Sequence, residues 1–445
     1  MKNFSTKPNR ENAIKMFKTD GARRNGHIFN FVNLINSISS NCVIALDGEW
    51  GSGKTFFAMQ TKLILDASNG ATEMADDDRE AIQAVIVNKN IKCDNGIATV
   101  YYDAWANDNS QDPILSFFYE ALKDIPTADD KRPKLKEILK SIAKIAIKGA
   151  TGVDVKDFLS ALESESIFNQ VKEEENTKAL MKSFFDEILQ ERANRLVVFI
   201  DELDRCKPEY AVKLLERIKH YFDDERAVFV LSVNLSQLQH TIKAYYGSGF
   251  DATRYFEKFF DLTVTVPQLE YNAYIVNCFP KFAVSSESFK RTCREAINYF
   301  KFNLREIERY LRICKMLDSI DVTQDRHRLE LVARRFFVPI AVGLSLRDGD
   351  KYRKFLKGEA FEVVLDIFPE NEYNARWVNN LETHMYGSGS VEKDATTYDQ
   401  KLIAIYEAVF LDAKIPSYGD TPGLVKQSVN SLLSLLSHET KLDFE

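Results

Sequence analysis

The chain has 445 residues, 45% of them apolar and 28% charged, the composition of globular proteins with room for about two to three domains. Its net charge of −7 works against attraction of nucleic acid to the whole surface and leaves only a local basic groove for that role. Six cysteines and six histidines without paired or ligand spacing speak against a disulfide framework or metal centre and for the reduced thiols of a cytoplasmic protein; the polar start lacks a signal-peptide core, and no integral membrane segment of about 20 apolar residues is present.

In chain order, the first 40 residues begin polar and turn helical over 28–38, where Ile28, Phe31, Leu34 and Ile35 recur at helical spacing. Val43 to Leu46 form a short β-type run that breaks at Gly48, Gly51 and Gly53 before Lys54-Thr55 and a helical segment. Gly48, four residues, then Gly53-Lys54-Thr55 fits the phosphate-loop pattern. Glycines let backbone N–H groups turn inward around phosphate oxygens, Lys54 brings a point charge to the β/γ-phosphates, and the Thr55 hydroxyl can ligate Mg²⁺. The nucleotide-binding stretch is thus Gly48, Glu49, Trp50, Gly51, Ser52, Gly53, Lys54, Thr55 and Phe56. A chance match in a glycine-rich turn is the competing reading, and the strand before, the helix after and an acidic companion further on weigh against it.

The helix runs to a C-cap near Asn69-Gly70, and 71–80, ATEMADDDRE, reads as a solvated acidic loop. Strands are expected over 84–87 and 97–102, with an Asp94-Asn95-Gly96 turn between them. The second ends in Asp103-Ala104-Trp105, for which edge packing is the simple account. Residues 110–192 are mostly helical in pattern. Within them 131–156 is basic, with Lys134, Lys136, Lys140, Lys144 and Lys148; it offers a surface to a membrane or phosphate backbone, although a solvated helix face is the commoner explanation. The glutamate-rich 162–176 has the opposite sign.

The fully apolar run 196–200, LVVFI, delivers Asp201-Glu202-Leu203-Asp204-Arg205 at its end, where open α/β sheets bind ligands. Asp201 is placed to hold Mg²⁺ through water, Glu202 is the better-placed general base for an attacking water, and Asp204 is a second candidate. An amphipathic helix over 209–222 precedes a buried strand over 227–233 that ends at Asn234, an amide able to reach the γ-phosphate and equally an ordinary turn former. Arg254 reads either as a phosphate-sensing finger aimed at a neighbouring subunit's nucleotide or as a surface salt-bridge arginine. A strand over 262–266 follows, then a helical stretch over 268–345 whose stripe of Leu304, Ile307, Tyr310, Leu311, Cys314 and Leu317 is core; Arg305, Arg309 and Arg312 lie on other faces, one of them able to close over nucleotide from a lid. Beyond 346, 402–411 and 432–436 read as packed helices and 387–389 and 418–423 as loops, and nothing there names a partner.

Together, Gly48 to Thr55 with its internal Trp50, Asp103-Ala104-Trp105, Ile200 to Cys206 followed by Pro208-Glu209, and Tyr255-Phe256-Glu257-Lys258 before Pro267 resemble the KAP family of P-loop NTPases over roughly 15–315. The resemblance implies an AAA-like, STAND-related α/β core of the additional-strand type, with the acidic strand separated from the phosphate loop by another strand. It further implies a helical lid, ATP as the nucleotide, Arg254 as arginine finger and Arg305 as the lid's sensor. The family includes phage-exclusion proteins and membrane-associated scaffolds. Many members carry transmembrane helices between the two nucleotide motifs, which 110–192 lacks, and members tend to have Asp where Glu202 stands and an Asp near Asn234.

The expectation is therefore a three-layer P-loop core over 1–270 with a helical insertion at 110–192, a lid over 271–345 and a mostly helical C-terminal region over 346–445. Its expected activity is Mg²⁺-dependent ATP hydrolysis by a regulatory homo-oligomer, with catalytic roles for Lys54, Glu202, Asp204, Asn234, Arg254 and Arg305. The alternatives are a nucleotide-gated scaffold that presents 346–445 to a partner protein, and a nucleic-acid motor or loader using 131–156.

Overall fold

Strands buried on two faces need apolar side chains at nearly every position, and that is the pattern which forms the sheet. Five strands, β1 (Cys42–Asp47), β2 (Ile97–Asp103), β3 (Arg195–Asp201), β4 (Ala227–Val233) and β5 (Leu262–Thr265), pair in the order β2-β3-β4-β1-β5, every pair parallel. β4 is buried along its whole length and separates β1 from β3. β5 closes one edge and is largely exposed. The computed structural model describes residues 9–20, 23–72, 74–88, 96–110, 113–124, 137, 179, 182–187, 189, 193–221, 224–267, 287–319, 333–386 and 397–411.

The chain divides into two compact units, one of them Thr6–Leu269. In this unit α1 (Arg10–Thr19), α2 (Asn25–Ser37), α3 (Lys54–Ser68) and α4 (Asp76–Asn88) cover one sheet face, where Leu46, Phe199 and Val230 share a core with Phe17, Phe31 and Phe57. The other face, with Val198, Ile200 and Leu231, packs on Phe117 and Phe118 of α5 (Pro113–Asp124), Leu214 of α6 (Pro208–Tyr221) and Leu238 of α7 (Leu235–Tyr246). A short α8 (Ala252–Phe256) leads into β5.

Two local expectations are corrected. Residues 76–88 form one helix, not an acidic loop followed by a strand over 84–87. Ile82 and Ile86, one turn apart, bury into the core beside α1 and α3, while Val87 stays exposed, so tertiary packing overrides the β-propensity of the Val85-Ile86-Val87 run. Asp76, Asp77 and Asp78 sit in the first turn, where the helix dipole favours negative charge. The polar opening of the chain also conceals α1: Asn9 Oδ1 accepts from the Asn12 N–H at 2.8 Å as its N-cap, and Ala13, Ile14 and Phe17 are its buried stripe.

Of the 110–192 segment, α5 and the helical residues 182–187 are described, and Phe184 meets Phe118 edge-on with ring centroids 4.1 Å apart. Except for residue 137, the basic stretch 131–156 lies outside the described residues, as do 162–176, Asp94, Asn95, 268–286, 387–389, 418–423 and 432–436. Among the described residues no helix is long and apolar enough to cross a membrane. Cys42, Cys206, Cys293 and Cys314 are buried and take part in no disulfide.

The described residues of the second unit form helices: α9 (Glu287–Phe300), α10 (Leu304–Ser319), a π-helical turn at Ala333–Phe337, α11 (Val338–Arg347), α12 (Gly349–Leu356), α13 (Glu362–Ile367), α14 (Glu372–Tyr386) and α15 (Tyr398–Phe410). α11 is buried from Val338 to Leu344 and carries α9, α10 and α12 around it, so the helices on either side of residue 345 share one core. Asn303 and Glu306 cap α10 reciprocally, Asn303 Oδ1 accepting from Glu306 N at 3.1 Å and Glu306 Oε2 from Asn303 N at 2.8 Å.

A Cβ at Gly343 would overlap the Phe300 ring, which is itself stacked on Phe302. Gly343→Ala is therefore expected to destabilise the second unit by about 1–3 kcal/mol, read as a lower denaturant midpoint, and adding Phe300→Leu should restore part of the loss.

Candidate functional site

β1 and β3 end at the same edge of the sheet, because parallel strands release their C-terminal ends together. The loop after β1 is tied to β4 by the Gly48 N–H, which donates to Val233 O at 3.1 Å. It turns through Gly51 (φ 79°) and Gly53 (φ 84°), left-handed conformations that cost a residue with a Cβ. Lys54, the first residue of α3, folds back over this loop and donates to Gly48 O at 2.6 Å and Glu49 O at 3.1 Å. Burial pushes its ammonium below the ordinary lysine range, and the carboxylates of Asp204 and Asp201 oppose that shift. Behind the loop, the buried Arg24 donates through Nη2 to Ser52 O at 2.8 Å and to Pro267 O, pinning the loop to the end of β5.

The acidic end of β3 is held as firmly. Asp201 is 1% exposed; its Oδ2 accepts from the Tyr101 hydroxyl of β2 at 2.8 Å and its Oδ1 from the Glu202 N–H at 2.9 Å. Burial, reinforced by the Asp201 carboxylate, drives the Tyr101 phenol far above its ordinary range, so it remains a donor. Glu202 adopts a left-handed backbone (φ 60°) and pairs with Arg205 at 2.7 Å. Asp204 is buried, and its Oδ2 accepts from the indole N–H of Trp50 at 2.5 Å. The phosphate-loop tryptophan is thereby joined directly to the acidic turn.

The remaining expected residues fall in distinct places. Asn234 is the N-cap of α7, its Oδ1 accepting from the Gln237 N–H at 3.2 Å. Arg254 is exposed on α8, whose N-cap Asp251 accepts from the Arg254 N–H at 3.1 Å. Arg305 is exposed in the first turn of α10, in the second unit. Phe56 is half-buried against the core on the α3 side of the sheet. Among these, Lys54, Asp201 and Asp204 come together electrostatically in the first unit, with Glu202 beside them in sequence and fold.

Sequence reasoning missed Arg24, Tyr101, Asp47 and Ser232. Asp47 Oδ1 accepts from the Leu235 N–H at 2.9 Å and so ties the end of β1 to the start of α7. Ser232 of β4 stands between Leu46 and Asp201 in the sheet register, 1% exposed. The usable signal was polarity inside an apolar strand: Ser232 interrupts AVFVLSV and the Tyr101 hydroxyl interrupts IATVYYD.

These residues suit a phosphate chain with Mg²⁺. The buried hydroxyls of Ser52 and Ser232 have no hydrogen-bond partner among the described residues, and buried polar groups are rarely left so. No side chain caps the start of α3, which leaves its first N–H groups to an anion. Thr55 and Asp201 supply the hard oxygen donors that Mg²⁺ takes. Among the described residues no three His, Cys, Asp or Glu side chains gather into a metal cage.

A family model described as the KAP family P-loop domain matches residues 24–321, well over half of the chain. No curated protein matches it.

Trp50→Phe keeps the ring and removes the donor to Asp204. It is expected to weaken Mg-nucleotide binding about fivefold, the equivalent of roughly 1 kcal/mol for one hydrogen bond to a carboxylate, with an unchanged circular-dichroism melt. Isothermal titration against wild type and Lys54→Ala, which should lose binding, provides the measurement.

Proposed function

The chain belongs to the KAP family of P-loop NTPase domains, and from that premise we propose that it is a regulatory ATPase that binds Mg-ATP and hydrolyses the β–γ phosphoanhydride. One observation carries this reading above the others: the Trp50 to Asp204 hydrogen bond, which spans 154 positions of sequence and brings the lysine-bearing loop against the acidic turn. A site built only to bind phosphate needs the loop; one built to cleave it also needs carboxylates at that loop.

Each chain residue has a definite part in the proposal. Lys54 leaves its two carbonyl acceptors for phosphate oxygens and stabilises the charge that develops in the transition state. Thr55 and Asp201 hold Mg²⁺, with Asp201 oriented by Tyr101. When bound, Mg²⁺ supplies charge neutralisation at the β- and γ-oxygens. The Glu202 carboxylate takes the proton of the attacking water as its oxygen bonds to the γ-phosphorus, and ADP leaves with the bridging oxygen. Arg254, exposed on α8, acts on a neighbouring subunit's nucleotide, and Arg305 takes the sensor role that the family resemblance implies. The phage-exclusion role found in the family belongs to the same proposal and rests on that resemblance alone.

Phosphate release from ATP is expected to be abolished in Lys54→Ala, reduced at least a hundredfold in Glu202→Gln with ATP still bound, and to rise faster than linearly with protein concentration. A colorimetric phosphate assay over a concentration series, with sizing in parallel, checks all three. Tight ATP binding without release would favour the nucleotide-gated scaffold, and linear rates from a monomer would remove Arg254 as a finger in trans.

A further inference from the structure

Glu202 is the only residue of the acidic turn with a left-handed backbone (φ 60°, ψ 25°), a conformation unfavourable for any side chain beyond glycine. Both of its backbone groups are occupied. Its N–H donates to Asp201 Oδ1 at 2.9 Å, and its carbonyl accepts from the Arg205 N–H at 3.1 Å and from Cys206 Sγ at 3.6 Å. The backbone is therefore set, and the direction of the flexible side chain is what remains to be fixed.

Arg205 fixes it. Its Nη1 lies 2.7 Å from Glu202 Oε1, with both side chains less than one-fifth exposed. The same guanidinium lies over the Trp105 ring, its Cζ 5.4 Å from the ring centroid. A planar guanidinium that both pairs with a carboxylate and rests on an aromatic face loses torsional freedom that a solvent-exposed arginine keeps. Trp105 is anchored in turn. The Ala104 N–H donates to Asp201 O at 3.0 Å, Asp108 N to Trp105 O at 3.3 Å, and Lys207 N to Asp108 Oδ2 at 3.2 Å, so the turn after β2 is stitched to the segment after β3. The grip runs from the β2 turn through Arg205 to Glu202.

We infer that Arg205, seated on Trp105, is a positioning residue that aims the Glu202 carboxylate for the hydrolytic step. The inference rests on the ATPase reading and extends it: the Asp-Ala-Trp turn after β2, otherwise explicable as edge packing, becomes the outer support of the base. Asp103, Asp108, Asp201 and Asp204 crowd the same region around Cys206 and Tyr101, and an unaimed glutamate among them has several equally poor directions to take.

The test is a double-mutant cycle on phosphate release by the full chain, with saturating and limiting ATP. Arg205→Met is expected to lower kcat ten- to a hundredfold with KM within twofold, since misplacing a catalytic group by about 1 Å costs on that scale. Arg205→Lys, which keeps the charge but not the plane, should fall between Arg205→Met and wild type, and Trp105→Ala should lower kcat several-fold where Trp105→Phe does so less than twofold. In the Glu202→Gln background the Arg205→Met effect should disappear, because a residue acting through the base has nothing left to aim. An equal Arg205→Met loss in both backgrounds, or a rise in KM with unchanged kcat, overturns the inference while the ATPase reading stands. Wild-type release no higher than that of Lys54→Ala overturns the ATPase reading and this role with it.

Discussion

The burial of β4 between β1 and β3 is the constraint on which the site depends. Strands lie about 4.8 Å apart in a sheet, so one intervening strand holds the outlets of β1 and β3 roughly 10 Å apart, a gap that a phosphate chain and its metal can occupy. Every residue of β4 is buried, with Phe229 and Leu231 in the core on one face and Val228 and Val230 in the core on the other, so the strand cannot be lost without opening both. The spacing between the cation of Lys54 and the acids after β3 is thus a by-product of core packing. The stability of the core and the geometry of the site cannot be varied independently.

Within that frame, hydrogen bonds from neighbouring elements correct what the backbone leaves loose. Arg24 pins the outer side of the phosphate loop, Trp50 joins the loop to Asp204, Tyr101 holds Asp201, and Arg205 holds Glu202. Each link comes from a different element and is at least partly buried, where a charge-assisted hydrogen bond is stronger than in water. Asp204, a candidate base on sequence grounds, is the one acid whose side chain is taken up by a tie between the two halves of the site. Asn234 is similarly taken up, as the cap of α7.

Much of this was legible beforehand, and the limits have identifiable causes. The phosphate loop and the LVVFI strand could be read because glycine torsions and two-sided burial each demand particular residue types in a short window. The match to the KAP family P-loop domain covers residues 24–321, the stretch in which both lie. The helix Asp76–Asn88 was misread because a run of β-branched residues is ambiguous until its neighbours are known: Ile82 and Ile86 bury only because α1 and α3 stand beside them. Arg24 and Tyr101 were invisible for a related reason, since each acts on a residue far away in sequence, Arg24 on Ser52 and Tyr101 on Asp201.

The amino-acid sequence alone determined which groups the chain brings to the site: a glycine loop with Lys54 and Thr55, and an apolar strand that ends in acids. These follow from local rules, in which torsion, hydrophobic period and side-chain type act within a few residues of one another. Only the tertiary structure decided which acids are committed and to what: Asp204 to Trp50, Glu202 to Arg205, Asp201 to Tyr101. The physical reason is that a side chain's partner depends on which strands are neighbours, and strand order is set by the burial of the whole sheet, a sum over residues that no short window contains.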